Sequence, residues 1–305
     1  MRAFVFDKYQ QPVHEVDIPE PTVGDCDVLI GVEAAGLNHL DERLRAGEFT
    51  AGDRVYARPR DHRIGTFAER ISVDETDVAL APSSISTVEA ASLPLVALTA
   101  WQALVEKGNV QPGQKVLIHA GAGGVGSIAI QLAKHLGAKV ATTVSGKNAD
   151  FIRELGADVV IDYRTQDFEI ELSGYDFVLD PLGGDNLTKS LTVLKRGGKA
   201  VGISGPPTPA FAKAAGLNPV LRLAITALSR KTRALARKLG VTYEFLLMHA
   251  SGDQLRQIAE LVDAGVIRPV VGATFPFDQT VQALASLGTS SIRGKAVITG
   301  VDQPA

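Results

Sequence analysis

Gly121, Gly123 and Gly126 stand in the order G-x-G-x-x-G, and this triplet constrains the chain more than any other feature. Residues 115–120 before it are a short apolar run headed by a lysine, which suits a buried parallel strand. After it, Ile128, Leu132 and Leu136 fall at helical spacing, so a helix is expected over 127–136. A glycine triplet alone is a weak signal, but between a strand and a helix it prescribes a backbone path. Gly121 is expected to permit the tight turn, Gly123 to let a ligand approach the backbone, and Gly126 to let the helix pack on the strand. Together with Ala122, Gly124 and Val125, these residues would aim unpaired helix N–H groups at an anion, here a dinucleotide pyrophosphate.

The rest of the chain reads as an α/β protein. Its 305 residues suggest two domains. Strands are expected at 2–6, 27–34 and 66–73, followed by a helical stretch over 87–106 that Pro94 must bend or split. From residue 115 onward, strands at 115–120, 139–144, 159–162, 177–180 and 199–204 alternate with helical stretches, the pattern of a doubly wound parallel sheet. Residues 218–240 read as one long helix carrying Arg222, Arg230, Lys231, Arg233, Arg237 and Lys238. Its apolar residues are small or needed for packing, so a solvated outer face is preferred over a membrane or anionic partner. A strand is expected at 241–248, and Ser251 is expected to cap a helix over 254–264.

Composition narrows the function classes. A net charge of −3 gives no global basic bias toward nucleic acid, and no apolar run reaches the length of a membrane span. Asp7 and Lys8 interrupt the N-terminal apolar residues, so no signal peptide is read and a cytoplasmic location is expected. Cys26 is the single cysteine, which rules out an internal disulfide and a four-cysteine zinc site. The carboxylates of Asp74-Glu-Thr-Asp77 fall in a polar turn and are expected to be solvated rather than catalytic.

The cofactor can be specified further. An acid about 20 residues beyond the fingerprint binds the ribose 2′-hydroxyl in NAD-selective sites. Here the second strand runs into Ser145 and Lys147 with no acid at its tip. A carboxylate about 4 Å from a phosphate charge would cost roughly 1–4 kcal/mol, so its absence beside a lysine favours NADPH. Tyr163 and Arg164, after the third strand, are candidates to complete a phosphate clamp. The fingerprint is not a P-loop, because Ser127-Ile128 follows Gly126. No Tyr-x-x-x-Lys pair, Gly-x-Ser-x-Gly elbow or His-Glu-x-x-His helix occurs.

Several further motifs accompany the fingerprint in order. They are Ala35-Gly-Leu-Asn-His-Leu-Asp-Glu-Arg-Leu-Arg-Ala-Gly47, Gly65-Thr-Phe-Ala-Glu69, Ala91-Ser-Leu-Pro-Leu95 and Leu98-Thr-Ala-Trp-Gln-Ala-Leu104. Leu155-Gly-Ala-Asp158, Asp180-Pro-Leu-Gly-Gly184, Gly197-Gly-Lys199 and Arg293-Gly-Lys295 follow. With these motifs the chain resembles the medium-chain dehydrogenase/reductases, in their zinc-independent quinone oxidoreductase branch. The resemblance implies a chaperonin-10-like β-barrel from residues 1–95 and 268–305 and a Rossmann domain over 96–267, with the cofactor in the cleft between them. It implies that Asn38 and Asp41 line the active site, with His39 beside them packed or on the surface. It also implies that Thr99, Gly183, Ser204 and Lys295 join the fingerprint, Ser145, Lys147 and Tyr163 in holding NADPH, and that the protein is a homodimer.

Two departures matter. Zinc-dependent relatives carry Cys-x-x-Asp where this chain has Asn38-His-Leu-Asp41, and an amide is a poor substitute for a thiolate on zinc, so no metal is expected. The family's long stretch after Gly47-Glu-Phe49 is also missing, since Thr50-Ala-Gly-Asp-Arg-Val-Tyr56 follows at once and omits expected barrel strands. A barrel without those strands would expose sheet edges, which favours an omitted segment over a reduced barrel. The activity expected is NADPH-dependent, zinc-free reduction of small quinones or α,β-unsaturated carbonyls. The alternatives are an NADPH-binding sensor without turnover and, less in keeping with Asn38, a zinc alcohol dehydrogenase.

Overall fold

The computed structural model describes residues 1–5, 14–21, 27–36, 53–60, 66–287 and 292–300. Asn38, His39, Asp41, Cys26 and the junction after Phe49 lie outside the described residues. The chain divides into two units, Met1–Leu98 with His249–Ala305, and Thr99–Met248.

The first unit opens with short strands: β1 (Arg2–Val5), β2 (His14–Asp17), β3 (Asp27–Gly31), β4 (Ala34–Gly36), β5 (Val55–Ala57), β6 (Arg70–Asp74) and β7 (Val78–Leu80). β1 pairs with β2, β3 with β6 and β5 with β7, all antiparallel. Alternation along β6 sends Ile71 and Val73 into a cluster with Val78, on which Ile30, Val32 and Val55 pack. The strand expected over 27–34 is interrupted at Val32 and Glu33, which frees β4 to take a different partner. The strand expected over 66–73 starts only at Arg70, and Ala68 makes a single bridge to Ala3.

Of the carboxylates at 74–77, Glu75 is exposed as expected, whereas Asp74 and Asp77 are structural. Asp74 caps the turn by accepting from Thr76 N at 3.0 Å. Asp77 is almost fully buried and takes a two-pronged ion pair from Arg60 at 2.7 and 2.8 Å. That geometry suits a guanidinium and leaves neither charge unmatched.

The helical stretch after residue 86 splits as Pro94 requires. Ser86 and Glu89 form a capping box that starts α1 (Thr87–Ala91), and Pro94 opens α2 (Pro94–Trp101), which continues as a π-helical turn over Gln102–Lys107.

The second unit is the parallel sheet. Its elements are β8 (Lys115–Ile118), α3 (Gly124–His135), β9 (Lys139–Val144), α4 (Ala149–Glu154), β10 (Val159–Asp162), α5 (Phe168–Glu171) and β11 (Tyr175–Asp180). They continue through α6 (Gly184–Thr192), β12 (Leu194–Gly202), α7 (Pro209–Ala214), α8 (Pro219–Leu228), α9 (Arg230–Leu239) and β13 (Thr242–Phe245). The strands lie in the order β10-β9-β8-β11-β12-β13, all parallel. Helices cover both faces, so β8 and β11 bury runs such as Leu117, Ile118, Val178 and Leu179 completely.

The helix expected over 218–240 is two helices. Ser229 ends α8 with its hydroxyl bonded to Ile225 O at 2.8 Å, and it accepts from Arg233 Nε at 3.1 Å. A buried serine that bonds its own helix backbone in this way breaks the axis where the sequence pattern runs on without a gap.

The chain then returns to the first unit with α10 (Gly252–Asp263), β14 (Val271–Pro276), α11 (Thr280–Ser286) and β15 (Lys295–Thr299). Ser251 caps α10 by accepting from Gln254 N at 3.3 Å. β15 lies between β14, parallel to it, and β4, antiparallel to it. The second unit ends at Met248 rather than at residue 267 because α10 packs on β7 and the Glu75–Asp77 turn before it. There Tyr56 donates to Leu255 O at 2.6 Å. Ser83 and Ser84 donate to Asp263, and these bonds, Ser84's first, hold its carboxyl down at about 2. No helix among the described residues is long and apolar enough to cross a membrane.

A Cβ on Gly252 would lie 2.2 Å from Val78 O, a backbone atom that cannot swing away. Gly252→Ala is therefore expected to destabilise the first unit by about 1–3 kcal/mol, measured by urea denaturation.

Candidate nucleotide-binding site

Chain order in the sheet reverses between β8 and β11, since β9 and β10 extend one way and β12 and β13 the other. A crevice outside the carboxyl ends of the strands forms at such a switch point, and it is where ligands bind in open α/β sheets. The glycine turn after β8 and the Asp180–Gly184 turn after β11 both stand there.

In the first turn the left-handed residue is Ala120, with φ of 54°, and Gly121 has a negative φ. Gly121 is required for a different reason than the turn itself. A Cβ there would lie 2.3 Å from Thr142 Oγ1, and Gly121 N donates to Thr143 O at 3.1 Å. The turn is thereby held against β9. A Cβ on Gly126 would meet Ala120 O at 2.3 Å and Gly121 Cα at 2.7 Å, so only glycine lets α3 start this close to the turn. Gly123 differs, because its Cβ would have a single neighbour, Ala120 O at 3.3 Å. It is the N-cap of α3, with extended backbone and no capping side chain. Among the described residues nothing accepts from the N–H groups of Gly124, Val125 and Gly126, which begin the helix. An uncapped helix start with an open face at Gly123 fits a pyrophosphate.

The second strand delivers Ser145, buried, and Lys147, exposed, into a short turn over Gly146–Asn148. Asn148 Nδ2 donates to Ser145 Oγ at 3.3 Å. Tyr163 N donates to Val144 O at 3.1 Å, which brings the exposed Tyr163 side chain to the neighbouring strand tip. This proximity also discloses an acid that the sequence pattern concealed. The Asp162 Oδ2 lies 2.5 Å from where a Gly146 Cβ would stand, although Asp162 belongs to the third strand. Its other oxygen accepts from Arg164 N at 3.1 Å.

On the other side of the switch point, Gly183 and Gly184 are both left-handed, with φ of 70° and 56°. A Cβ on Gly183 would lie 2.6 Å from Ser204 O, so this turn sits against the loop after β12. The structure thus gathers the fingerprint, Ser145, Lys147, Tyr163, Gly183 and Ser204 at the carboxyl ends of one sheet. Thr99 is buried in α2, and Lys295 heads β15 in the other unit.

A buried polar network underlies these turns, and the sequence reading missed it. Asp180 Oδ1 accepts from Leu182 N and Gly183 N, both at 2.8 Å. Its Oδ2 takes Asn186 Nδ2 at 3.0 Å and Ser190 Oγ at 2.9 Å. His119 Nε2 stands 2.9 Å from Ser190 Oγ, and Nδ1 stands 2.9 Å from Thr143 Oγ1. The Ser190 hydroxyl has two acceptors besides the ring, Asp180 Oδ2 and Asn186 O at 2.8 Å; with its proton on either of these, Nε2 carries the imidazole proton and Nδ1 accepts from Thr143. His119, Ser190 and Asp180 are all fully buried. Burial pushes the imidazole down to about 4, against a smaller upward pull from Asp180, so the ring is neutral near pH 7. The one clue in the sequence was a histidine at the end of an otherwise apolar strand.

Among the described residues, no group of three or more histidine, cysteine, aspartate and glutamate side chains is placed to hold a metal.

Two predictions follow from this geometry. Gly123→Ala is expected to weaken dinucleotide binding at least about tenfold while leaving thermal stability within about 0.5 kcal/mol, whereas Gly126→Ala loses both, as read by calorimetric titration and thermal melts. His119 titrates at 6.5 when unfolded and at about 4 when folded. The unfolded chain therefore takes up the proton first, so this contribution is complete above about pH 6.5 and disappears as pH falls toward about 4, by about 3 kcal/mol in all. Urea midpoints should fall across that window, and His119→Gln should remove this decline.

The chain is similar to known proteins over most of its length. Residues 155–298 match the zinc-binding dehydrogenase family. The chain is 38% identical over 261 residues to the mouse protein named NAD(P)H oxidoreductase RTN4IP1, mitochondrial, covering 83% of this chain and 66% of that protein, just under two thirds of its length. It is 31% identical to the Arabidopsis thaliana NADPH-dependent alkenal/one oxidoreductase, chloroplastic, covering 98% of this chain and 79% of that protein. That alignment spans 340 positions, more than the 305 residues present, so the plant protein has segments without counterpart here. The quinone oxidoreductase structure from Coxiella burnetii superposes with a TM-score of 0.82 at 29% identity, covering 98% of this chain and 99% of that one. With its switch-point glycine turn and these relatives spanning most of its length, the chain belongs to the medium-chain dehydrogenase/reductase superfamily.

Proposed function

We propose that this chain is an NADPH-dependent oxidoreductase that reduces quinones or α,β-unsaturated carbonyls without zinc. The observation that carries the proposal is the uncapped start of α3 at the switch point, open at Gly123 and flanked by Ser145 and Lys147. The names of the relatives, an alkenal/one oxidoreductase and a quinone oxidoreductase, supply the acceptor class. Gly124, Val125 and Gly126 would hold the pyrophosphate through their N–H groups, and Ser145, Lys147 and Tyr163 the 2′-phosphate. Asp162 is turned against Gly146 and hydrogen-bonded to Arg164 N, and Lys147 stands on the exposed side of the same turn. Gly183 and Ser204 would bound the nicotinamide end, their turn held by the neutral His119–Ser190–Asp180 network.

When bound, NADPH supplies hydride, which an enone takes at its β-carbon with a proton at the α-carbon, and which with one proton converts a quinone to its quinol. Asn38 and Asp41 are proposed to orient the acceptor. Zinc independence rests on the donor set, since Asn38 replaces a thiolate ligand and Cys26 is the only thiol. We place the protein in the cytoplasm, although the relatives above carry mitochondrial and chloroplastic names. A homodimer is part of the same reading. β13 is an edge strand of the sheet, available to pair with a second copy.

Purified protein should oxidise NADPH with a simple quinone or a 2-alkenal and prefer it to NADH. Lys147→Ala should lower NADPH affinity by about 1–3 kcal/mol and leave NADH affinity unchanged. Tight NADPH binding with no turnover on either acceptor would instead make the protein a sensor, and stoichiometric zinc would refute the metal-free reading.

A further inference from the structure

α8 presents its apolar side to solvent. No residue of this helix is buried. Val220 is 77% exposed, Leu223 71%, Leu228 65% and Leu221 48%. At helical spacing these four fall with Ala224 and Ala227 on one continuous face, and Arg222 and Thr226 fall opposite. The inner side is marked by half-buried Ile225 and Thr226 and by buried Ser229. A surface helix ordinarily buries its apolar stripe, and this one is inverted. Apart from half-buried Ile225, the large apolar residues of 218–228 are therefore left in solvent, which removes the reason for reading this segment as an ordinary solvated face.

The charge around α8 is equally one-sided. Between Asp185 and Glu244 the sequence has eleven lysines and arginines and no acid, in a chain of net charge −3. Lys189, Lys195 and Lys199, early in that stretch, are paired with Glu169, Asp176 and Glu244. Arg230, Lys231, Arg237 and Lys238 on α9 are exposed and make no ion pair among the described residues. Leu235 and Leu239 anchor α9 to the core of the sheet, so the cations next to α8 ride on a fixed element.

We propose that α8 and α9 form a docking surface for an anionic lipid bilayer. The apolar face of α8 enters the boundary between headgroups and acyl chains, and the cations of α9 meet lipid phosphates. An interfacial helix has this composition, with leucine and valine on one side and basic residues at hand. A second copy of the chain fits less well, because a two-fold contact across this face would bring like-charged α9 helices together. The association is peripheral and places no helix across the membrane.

Flotation of the full chain with vesicles tests this. The protein should float with mixed phosphatidylcholine–phosphatidylglycerol vesicles, much less with phosphatidylcholine alone, and less as salt rises. Val220→Glu with Leu223→Glu should reduce flotation at least about tenfold, since a charge would have to enter the apolar boundary. Arg230→Glu with Lys231→Glu should do the same, because each basic residue near the surface contributes roughly fivefold. All four positions are exposed, so far-ultraviolet circular dichroism and melting should match the parent chain. Failure to float with anionic vesicles overturns the proposal, as does equal flotation on neutral lipid or by both variants. A dimer that Val220→Glu with Leu223→Glu dissociates, without flotation by the parent chain, assigns the face to a second copy and overturns it as well.

Discussion

The close approach of α3 to the turn after β8 is the contact on which the nucleotide-binding unit depends. Gly126 has no room for a side chain against Ala120 O, and Gly121 has none against Thr142. Adding one carbon at either place would push the helix off the strand or the turn off the neighbouring strand. With both carbons absent, the start of α3 is held at the switch point, and its unpaired N–H groups face outward from a fixed position. A helix start placed this rigidly requires no side-chain cation to attract a pyrophosphate, because the amide groups and the helix dipole are already oriented.

Holding the turn does not by itself join the two halves of the sheet, since β8 to β10 and β11 to β13 wind in opposite directions from the switch. β8 pairs with β11 directly, and the buried polar network ties the two halves again through side chains below the crevice. His119, the residue after β8, reaches Thr143 of β9 on one side and Ser190 of α6 on the other, and Ser190 reaches Asp180 of β11. Each of these polar contacts would be costly in an apolar core if left unpaired, so the network tolerates little slack. Its output is the position of the Leu182 and Gly183 N–H groups, both of which end on the same carboxylate oxygen. A neutral imidazole suits this arrangement, because it both donates and accepts without adding a second buried charge.

At the far side of the sheet the molecule relaxes the usual separation of apolar inside and polar outside. α7 to α9 interrupt the crossover between β12 and β13, and α8 within it keeps leucine and valine in solvent. The neighbouring α9 follows the ordinary rule, with Leu235 and Leu239 inward and its cations outward. The break at Ser229 lets two adjoining helices obey opposite rules. A single straight helix would have carried one apolar stripe through both.

Much of the architecture was readable from local pattern. The strands at 139–144 and 159–162 have the expected bounds, Pro94 divides the helix, and Ser251 caps α10. These features depend on residues within one or two turns of each other, where spacing and cap chemistry act directly. The glycine fingerprint also announced its purpose, because strand, turn and helix are contiguous. What the pattern did not contain was anything joined by strand order. Asp162 lies against Gly146 because β10 neighbours β9, and His119 meets Ser190, 71 residues away, because β8 neighbours β11. Ala120, not Gly121, takes the left-handed backbone, since contact with Thr142 rather than the turn reserves position 121 for glycine. The exposed face of α8 was hidden for the same reason: periodicity shows that a helix has an apolar side, and only the packing of its neighbours decides whether that side is covered. The sequence by itself therefore determined the elements and the chemistry of the cofactor turn, while the tertiary structure decided which distant side chains share a site and which apolar surface stays open.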